Sequence, residues 1–201
     1  SPGGMGGALI VVGDDYGEGA SIIQERTLAM AMKSTIWLLD PRPELQNIVD
    51  LVEHSFELSE ASNTPVMMQL RIRSCHVQGE FVAKNNRAPK IGTKNKMADP
   101  ASFLYDRLAH PPVTFSQEKL KVAARLPAAQ RYIVEHGLNE LIDGDQKSLG
   151  IIVQGGIYNT LMRRLQAMGL ADAFGNSQIP VLVLNVTHPL VSGQITDFCA
   201  G

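Results

Sequence analysis

The sequence is poor in the features that mark several classes of protein. It has two cysteines, Cys75 and Cys199, in no CxxC or other metal-ligand spacing. That excludes a disulfide scaffold, a structural zinc site of the usual kind and a cysteine-held iron–sulfur cluster within this chain. Free thiols of this sort fit a reducing compartment, and the expectation is a cytoplasmic protein. No apolar run approaches the roughly 20 residues that a membrane-spanning helix requires, so no membrane association is expected. The net charge is −2 and no basic run occurs. A nucleic-acid partner is therefore not expected, for lack of an electrostatic footprint. The opening SPGGMGG has neither the basic n-region nor the apolar core of a signal peptide, and position 1 is not Met. The glycines of that opening precede the first strand instead of following it, so no GxGxxG dinucleotide fingerprint is present.

Apolar residues make up 44% of the chain, enough for a packed core. Ala8 to Gly13 is a short apolar run ended by Gly and Asp, the pattern of a strand buried on both faces of a parallel sheet. A helix is expected over Ser21 to Met32 and a second buried strand over Ser34 to Asp40. Leu45, Ile48, Val49, Val52, Phe56 and Ala61 then recur at helical spacing. Thr64 to Arg73 reads as a third strand. This β-α-β-α-β order predicts a parallel α/β sheet. Phe81 to Pro112 is polar, holds four prolines and shows no periodicity, which reads as a connection. Ser116 to Leu141 reads as helical with a break at Pro127. Leu149 to Gly156 is a strand ending in Gly-Gly, followed by a helix with Leu161, Leu165 and Met168 on one face. Ile179 to Leu190 holds one more buried strand, and a short helix runs to Ala200. The fold class expected is α/β, as two partial three-layer units with mainly parallel sheets. The expected units are 1–80 and 147–201, joined by a linker with helical segments over 81–146. Both ends of the chain read as cut, so an internal piece of a larger protein is expected.

Ligands of parallel α/β sheets bind beyond the carboxyl ends of the strands. Three places qualify: Gly13-Asp14-Asp15, Arg71 to His76, and Gln154-Gly155-Gly156. For Asp14 and Asp15 the plain alternative is turn chemistry and helix capping. A receiver-type phosphoacceptor pocket would use these carboxylates with Asp40, but the Lys-Pro of such a pocket is missing and Arg71 and Arg73 do not replace it. Asp143-Gly144-Asp145 inverts the GDG order of a thiamine diphosphate metal motif and reads as a turn. Cys75 and His76 are adjacent, and on a strand they would point to opposite faces, so they do not form a nucleophile–base pair. His54 and His136 sit in polar helical contexts and read as solvated.

One connected series of motifs has a family resemblance. It comprises Gly13-Asp14-Asp15 with Gly17 and Ser21, Phe56-Glu57-Leu58-Ser59, and Arg73 with Cys75-His76 and Gly79. It resembles the α subunits of the indolepyruvate ferredoxin oxidoreductases, within the thiamine diphosphate-dependent 2-oxoacid:ferredoxin oxidoreductases. Gly7 to Gly79 is similar to the later part of their pyrimidine-binding domain. Leu149 to Leu165 and Ile179 to Leu190 are similar to the start of their transketolase C-terminal-like domain. The loop departs from the family at Ala20-Ser21, where a Ser-Ser pair is usual. The resemblance implies a parent enzyme with thiamine diphosphate, Mg²⁺ and iron–sulfur clusters, which oxidatively decarboxylates a 2-oxoacid, an arylpyruvate such as indolepyruvate being the expected substrate. Ferredoxin would take the electrons and coenzyme A the acyl group. It further implies that Gly13, Asp14, Asp15, Gly17 and Ser21 line the cofactor cleft. The family's catalytic Glu and diphosphate motif lie outside this stretch, so no residue here is expected to be a catalytic acid or base, and no cofactor is expected to bind this chain alone. The expected partners are the remaining domains or a β subunit, ferredoxin through the parent, and a second copy in a homo-oligomer. The opposing expectation is a non-catalytic α/β scaffold or interaction domain.

Overall fold

The structure is a computed structural model that describes residues 6–14, 26–86 and 104–201. Its first sheet is built from β1 (Leu9–Asp14), β2 (Trp37–Leu39) and β3 (Val66–Arg71), all parallel, in the order β1-β3-β2. Parallel strands are covered on both faces, and the side chains alternate accordingly. Trp37, Leu39, Val66 and Met68 pack on one side beneath α2 (Leu45–Ser62) and α5 (Leu126–Glu135). Leu38 and Met67 pack on the other side with Ala31 of α1 (Thr27–Ser34).

Helix α2 starts where the Glu44 carboxylate accepts from the backbone N–H groups of Gln46 (3.0 Å) and Asn47 (2.8 Å). It stops at Asn63, which adopts the left-handed conformation (φ 49°) that Asn tolerates better than most residues. Its inner face differs from the expected stripe. Val52 and Phe56 are exposed, and the buried positions are Leu51, Ser55, Leu58, Ser59 and Ser62. The serines are accommodated because their hydroxyls find local acceptors: Ser55 donates to Leu51 O and Ser62 to Leu58 O, both at 2.6 Å. Ser62 in turn accepts from the buried Trp37 indole at 2.7 Å. Apolar spacing alone misplaces this face because it carries no information about satisfied serines. Two further boundaries shift. Helix α1 runs to Ser34, where Thr35 turns left-handed (φ 52°). Strand β3 ends at Arg71 and the chain coils into a helical turn, α3 (Ile72–Cys75). Cys75 and His76 therefore lie at the end of a helical turn instead of on a strand, and both are exposed.

The second sheet has the order β4-β6-β5, from β4 (Glu140–Ile142), β5 (Ile151–Gln154) and β6 (Val181–Leu184). β5 and β6 are parallel, and β4 is antiparallel on the edge. Tyr158, Met162 and Leu165 of α6 (Tyr158–Ala167) cover Val153, Val181 and Val183. The helical expectation over residues 116–141 holds only to Glu135. α4 (Val113–Leu120) and α5 are joined by a π-helical turn at Lys121–Arg125, just ahead of Pro127. Proline has no N–H to donate, and the wider turn takes up that lost bond without stopping the helix. Gly137, with φ 59°, then ends the helical run, and the chain extends into β4.

The run from Ile179 to Leu190, expected to hold one strand, serves both sheets. Its first half is β6; its second half, β7 (Val186–His188), crosses to the first sheet and pairs antiparallel with β2. The final helix, α7, spans Ser192–Ala200. Among the described residues no helix is long and apolar enough to cross a membrane.

Candidate functional site

The carboxyl ends of the strands converge on one polar junction between the sheets. Asp40 follows β2, Arg71 ends β3 and Gln154 ends β5. The Arg71 guanidinium donates from Nη2 to Asp40 Oδ2 (2.6 Å) and from Nε to both carboxylate oxygens (3.2 Å each). Nη2 also donates to Gln154 Oε1 at 2.7 Å. The side chains of Arg71 and Asp40 are 8% and 2% exposed. A pair so buried persists because each charge compensates the other; removing either leaves an uncompensated ion. The two glycines after Gln154 are required by this closeness. A Cβ on Gly155 would run into the Asp40 carbonyl and lie 2.6 Å from Asn185 Oδ1, and one on Gly156 would run into the Asp40 carboxylate and the Arg71 side chain.

Asn185, fully buried where the chain passes from β6 to β7, is the second knot of the junction. Its amide donates to Leu138 O (3.0 Å) and Glu140 Oε1 (2.8 Å), and its Oδ1 accepts from the Arg42 N–H (2.8 Å). Arg42 pairs with Glu140 (Nη2 to Oε2, 3.0 Å) and lies over the Tyr158 ring. Burial raises the Tyr158 phenol above its ordinary range, opposed by Arg42. None of Arg42, Glu140 or Asn185 carries a spacing that sequence reasoning could have used, since their partners come from other elements.

A cavity of about 170 Å³ opens beside the pair, lined by Leu28, Leu38, Asp40, Gln69, Arg71, Gln154 and Thr187. One buried polar atom of its lining, Gln69 Nε2, lacks a partner among the described residues, as do Asp14 Oδ1 and, on the Trp37 side of the sheet, His188 Nε2. Burial also holds the His188 imidazole below its ordinary pKa. Asp14 sits beside Arg71 in the β1–β3 register. Its Oδ2 accepts from the Thr27 N–H (3.1 Å) and hydroxyl (2.5 Å), so it caps the start of α1. A Cβ on Gly13 would meet nothing within 4 Å among the described residues. Asp15, Gly17 and Ser21 lie outside the described residues. Of the three strand-end places, the structure thus brings Asp14, Arg71 and Gln154 to one edge. Its charged pair is mutually neutralised, and the arrangement offers amide and carboxylate hydrogen-bonding groups to a small polar molecule, with no nucleophile–base pair among the described residues.

A second cluster lies on the opposite side of α2. His54, Glu57 and His136, with Tyr132, meet where α2 and α5 pack. His136 is exposed and His54 half-buried, so both reach solvent as expected; their meeting is something no local spacing reveals.

No protein-family profile matches the chain. Among curated proteins it is similar to indolepyruvate oxidoreductase subunit IorA of Methanothermobacter marburgensis, 28% identical over 97% of this chain. It is likewise similar to the subunit of the same name from Pyrococcus horikoshii, 24% identical over 98%. The chain spans 29% of the length of these relatives. Among solved structures it is similar to a 2-oxoglutarate:ferredoxin oxidoreductase from Magnetococcus marinus with 2-oxoglutarate, coenzyme A and succinyl-CoA bound. That match has a TM-score of 0.58 and 16% identity, and covers 96% of this chain and 39% of the other. The family resemblance drawn from the motifs therefore extends across almost the whole chain, and the α/β fold is shared.

Proposed function

We propose that this chain is the stretch of a thiamine diphosphate-dependent 2-oxoacid:ferredoxin oxidoreductase that joins the pyrimidine-binding unit (1–80) to the transketolase C-terminal-like unit (147–201) through 81–146. Its role is to align the strand ends of the two units so that they form one wall of the cofactor cleft. The parent, a cytoplasmic enzyme, oxidatively decarboxylates an arylpyruvate such as indolepyruvate. Carbon dioxide leaves, coenzyme A takes the acyl group and ferredoxin takes the two electrons. The observation that supports this reading is the Asp40–Arg71–Gln154 junction, which ties the carboxyl ends of β2, β3 and β5 together.

The described residues do not fit the whole cofactor. The cavity of about 170 Å³ is smaller than the roughly 300–1,000 Å³ of ordinary ligand pockets. Among them, Asp14 Oδ1 is the one buried carboxylate oxygen without a partner, whereas Mg²⁺ needs an octahedral set of oxygens. Two isolated cysteines cannot hold an iron–sulfur cluster. No chemical step is therefore assigned to a residue of this chain, and the remaining domains or a β subunit, in a homo-oligomer, would complete the site. In that setting Gly13, Asp14, Asp15, Gly17 and Ser21 contribute cleft lining.

Calorimetric titration of the 201-residue chain with thiamine diphosphate and Mg²⁺ should show no saturable binding. Tight, Mg²⁺-dependent binding would overturn the half-site reading. The protein encoded by the flanking reading frame together with this chain should reduce ferredoxin only when coenzyme A and a 2-oxoacid are both supplied, arylpyruvates being preferred. Absence of that activity across a panel of 2-oxoacids would leave the scaffold reading.

A further inference from the structure

Two helices of the described structure present three metal-ligand side chains to one point. His54 and Glu57 stand three residues apart on α2, hence on one face. His136 ends α5, one turn beyond Tyr132. Each of the three offers one ligand atom, and these atoms all lie within 4.8 Å of one another. His54 Nδ1 is 3.6 Å from Glu57 Oε2, and the two imidazole rings are 5.6 Å apart between centroids. A tetrahedral ion with bonds of about 2.0–2.1 Å would sit among groups of this spread after a small closing rotation. Glu57, half exposed at 51%, has room to make it.

What distinguishes this group from a chance meeting of surface side chains is its support. Tyr132 is buried, and its hydroxyl donates to Glu57 Oε2 at 2.5 Å and lies 2.9 Å from His54 Nδ1. Its ring stacks on the His136 ring, 4.0 Å between centroids and 22° between planes. The phenol's one proton goes to Glu57, so His54 Nδ1–H donates to the phenol oxygen and Nε2 is the His54 atom left to an ion; one buried phenol thus orients all three groups, as the hydrogen-bonded surroundings of metal ligands do. Lys84, a cation that acts on Glu57, is engaged by Glu53.

We propose that His54, Glu57 and His136 form a binding site for a divalent transition-metal ion, Zn²⁺ by its ligand types, with a fourth position open to water or to a further ligand. Two imidazoles and a carboxylate suit zinc and its borderline neighbours and not Mg²⁺, which takes oxygen ligands. The ion braces α2 against α5, across the face of the first sheet remote from the strand-end junction. Tyr132 acts as the positioning residue. The site is independent of the oxidoreductase reading.

The test is a Zn²⁺ titration of the 201-residue chain carrying Cys75→Ser and Cys199→Ser, which removes the exposed thiols. One ion per chain should bind, and Mg²⁺ should not compete. His136→Gln and His54→Gln should each weaken Zn²⁺ at least about 10-fold, whereas His76→Gln should not. Tyr132→Phe should weaken it less. A wild-type readout keeps the result decisive if a variant misfolds: Co²⁺ added to the chain should give a tetrahedral-type visible spectrum and shift the ring resonances of His54 and His136. Absence of saturable binding, or perturbation of His76 or His110 in their place, would overturn the proposal.

Discussion

The strand-end junction and the α2–α5 cluster both join elements distant in sequence, yet they are built to different rules. At the junction Arg71 and Asp40 are 8% and 2% exposed, and each is consumed by the other. In the cluster the phenol of Tyr132 is buried while Glu57 is half exposed and the imidazoles reach the surface. A buried ion pair contributes geometry at a high penalty for any imbalance, because desolvation must be matched by the partner. A surface cluster with a buried anchor holds its groups in place while leaving them available. The first arrangement is a lock and the second a receptor.

The largest expected effect comes from breaking the lock on one side. Arg71→Met leaves Asp40 buried and uncompensated and should lower the unfolding free energy by about 3–5 kcal/mol, read from urea denaturation followed by circular dichroism. Adding Asp40→Leu should restore most of that loss, and failure to do so would show that the pair is more than mutual neutralisation. Next in size is Gly156→Ala, whose methyl must displace the Asp40 carboxylate or the Arg71 side chain. A cost of about 1–3 kcal/mol is expected. Tyr132→Phe, in the cluster, removes a hydroxyl from partly solvated partners and should cost only about 0.5–1.5 kcal/mol. A larger loss would show the cluster to be as interlocked as the junction.

The smallest effect is a pH slope. His188 is held neutral by burial, with its folded pKa lowered, so the unfolded chain takes up the proton first. Its contribution is intact above the unfolded value of about 6.5 and is lost as pH falls through it toward the folded value. Stability should decline in that window, and His188→Phe should flatten the decline, measured by thermal melts between pH 7.5 and about 5.

Much of the fold was legible from pattern. Runs such as Ala8 to Gly13 and Ser34 to Asp40 are continuous apolar stretches, which both-sided burial demands. The junction was legible only as separate strand ends. Arg71 and Gln154 stand out as polar residues closing apolar runs, but nothing local says that one donates to the other 83 residues away. The cluster was illegible: His54 and Tyr132 are 78 residues apart, and a histidine among Glu and Ser on a helix reads the same whether or not another helix faces it. β7 was hidden inside one apolar run because burial is the same in either sheet.

By itself the sequence determined the α/β class, the alternation of β1, α1, β2, α2 and β3 and of β5, α6 and β6, and helix capping as one reading of Asp14. These depend on periodicity and on a side chain reaching backbone across one loop. Only the tertiary structure decided that Asn185 divides one strand between two sheets, that Gly155 and Gly156 leave room for Asp40 and Arg71, and that Tyr132 gathers two histidines and a glutamate. Those outcomes depend on how closely elements distant in the chain approach, which is set by packing and desolvation across the whole molecule.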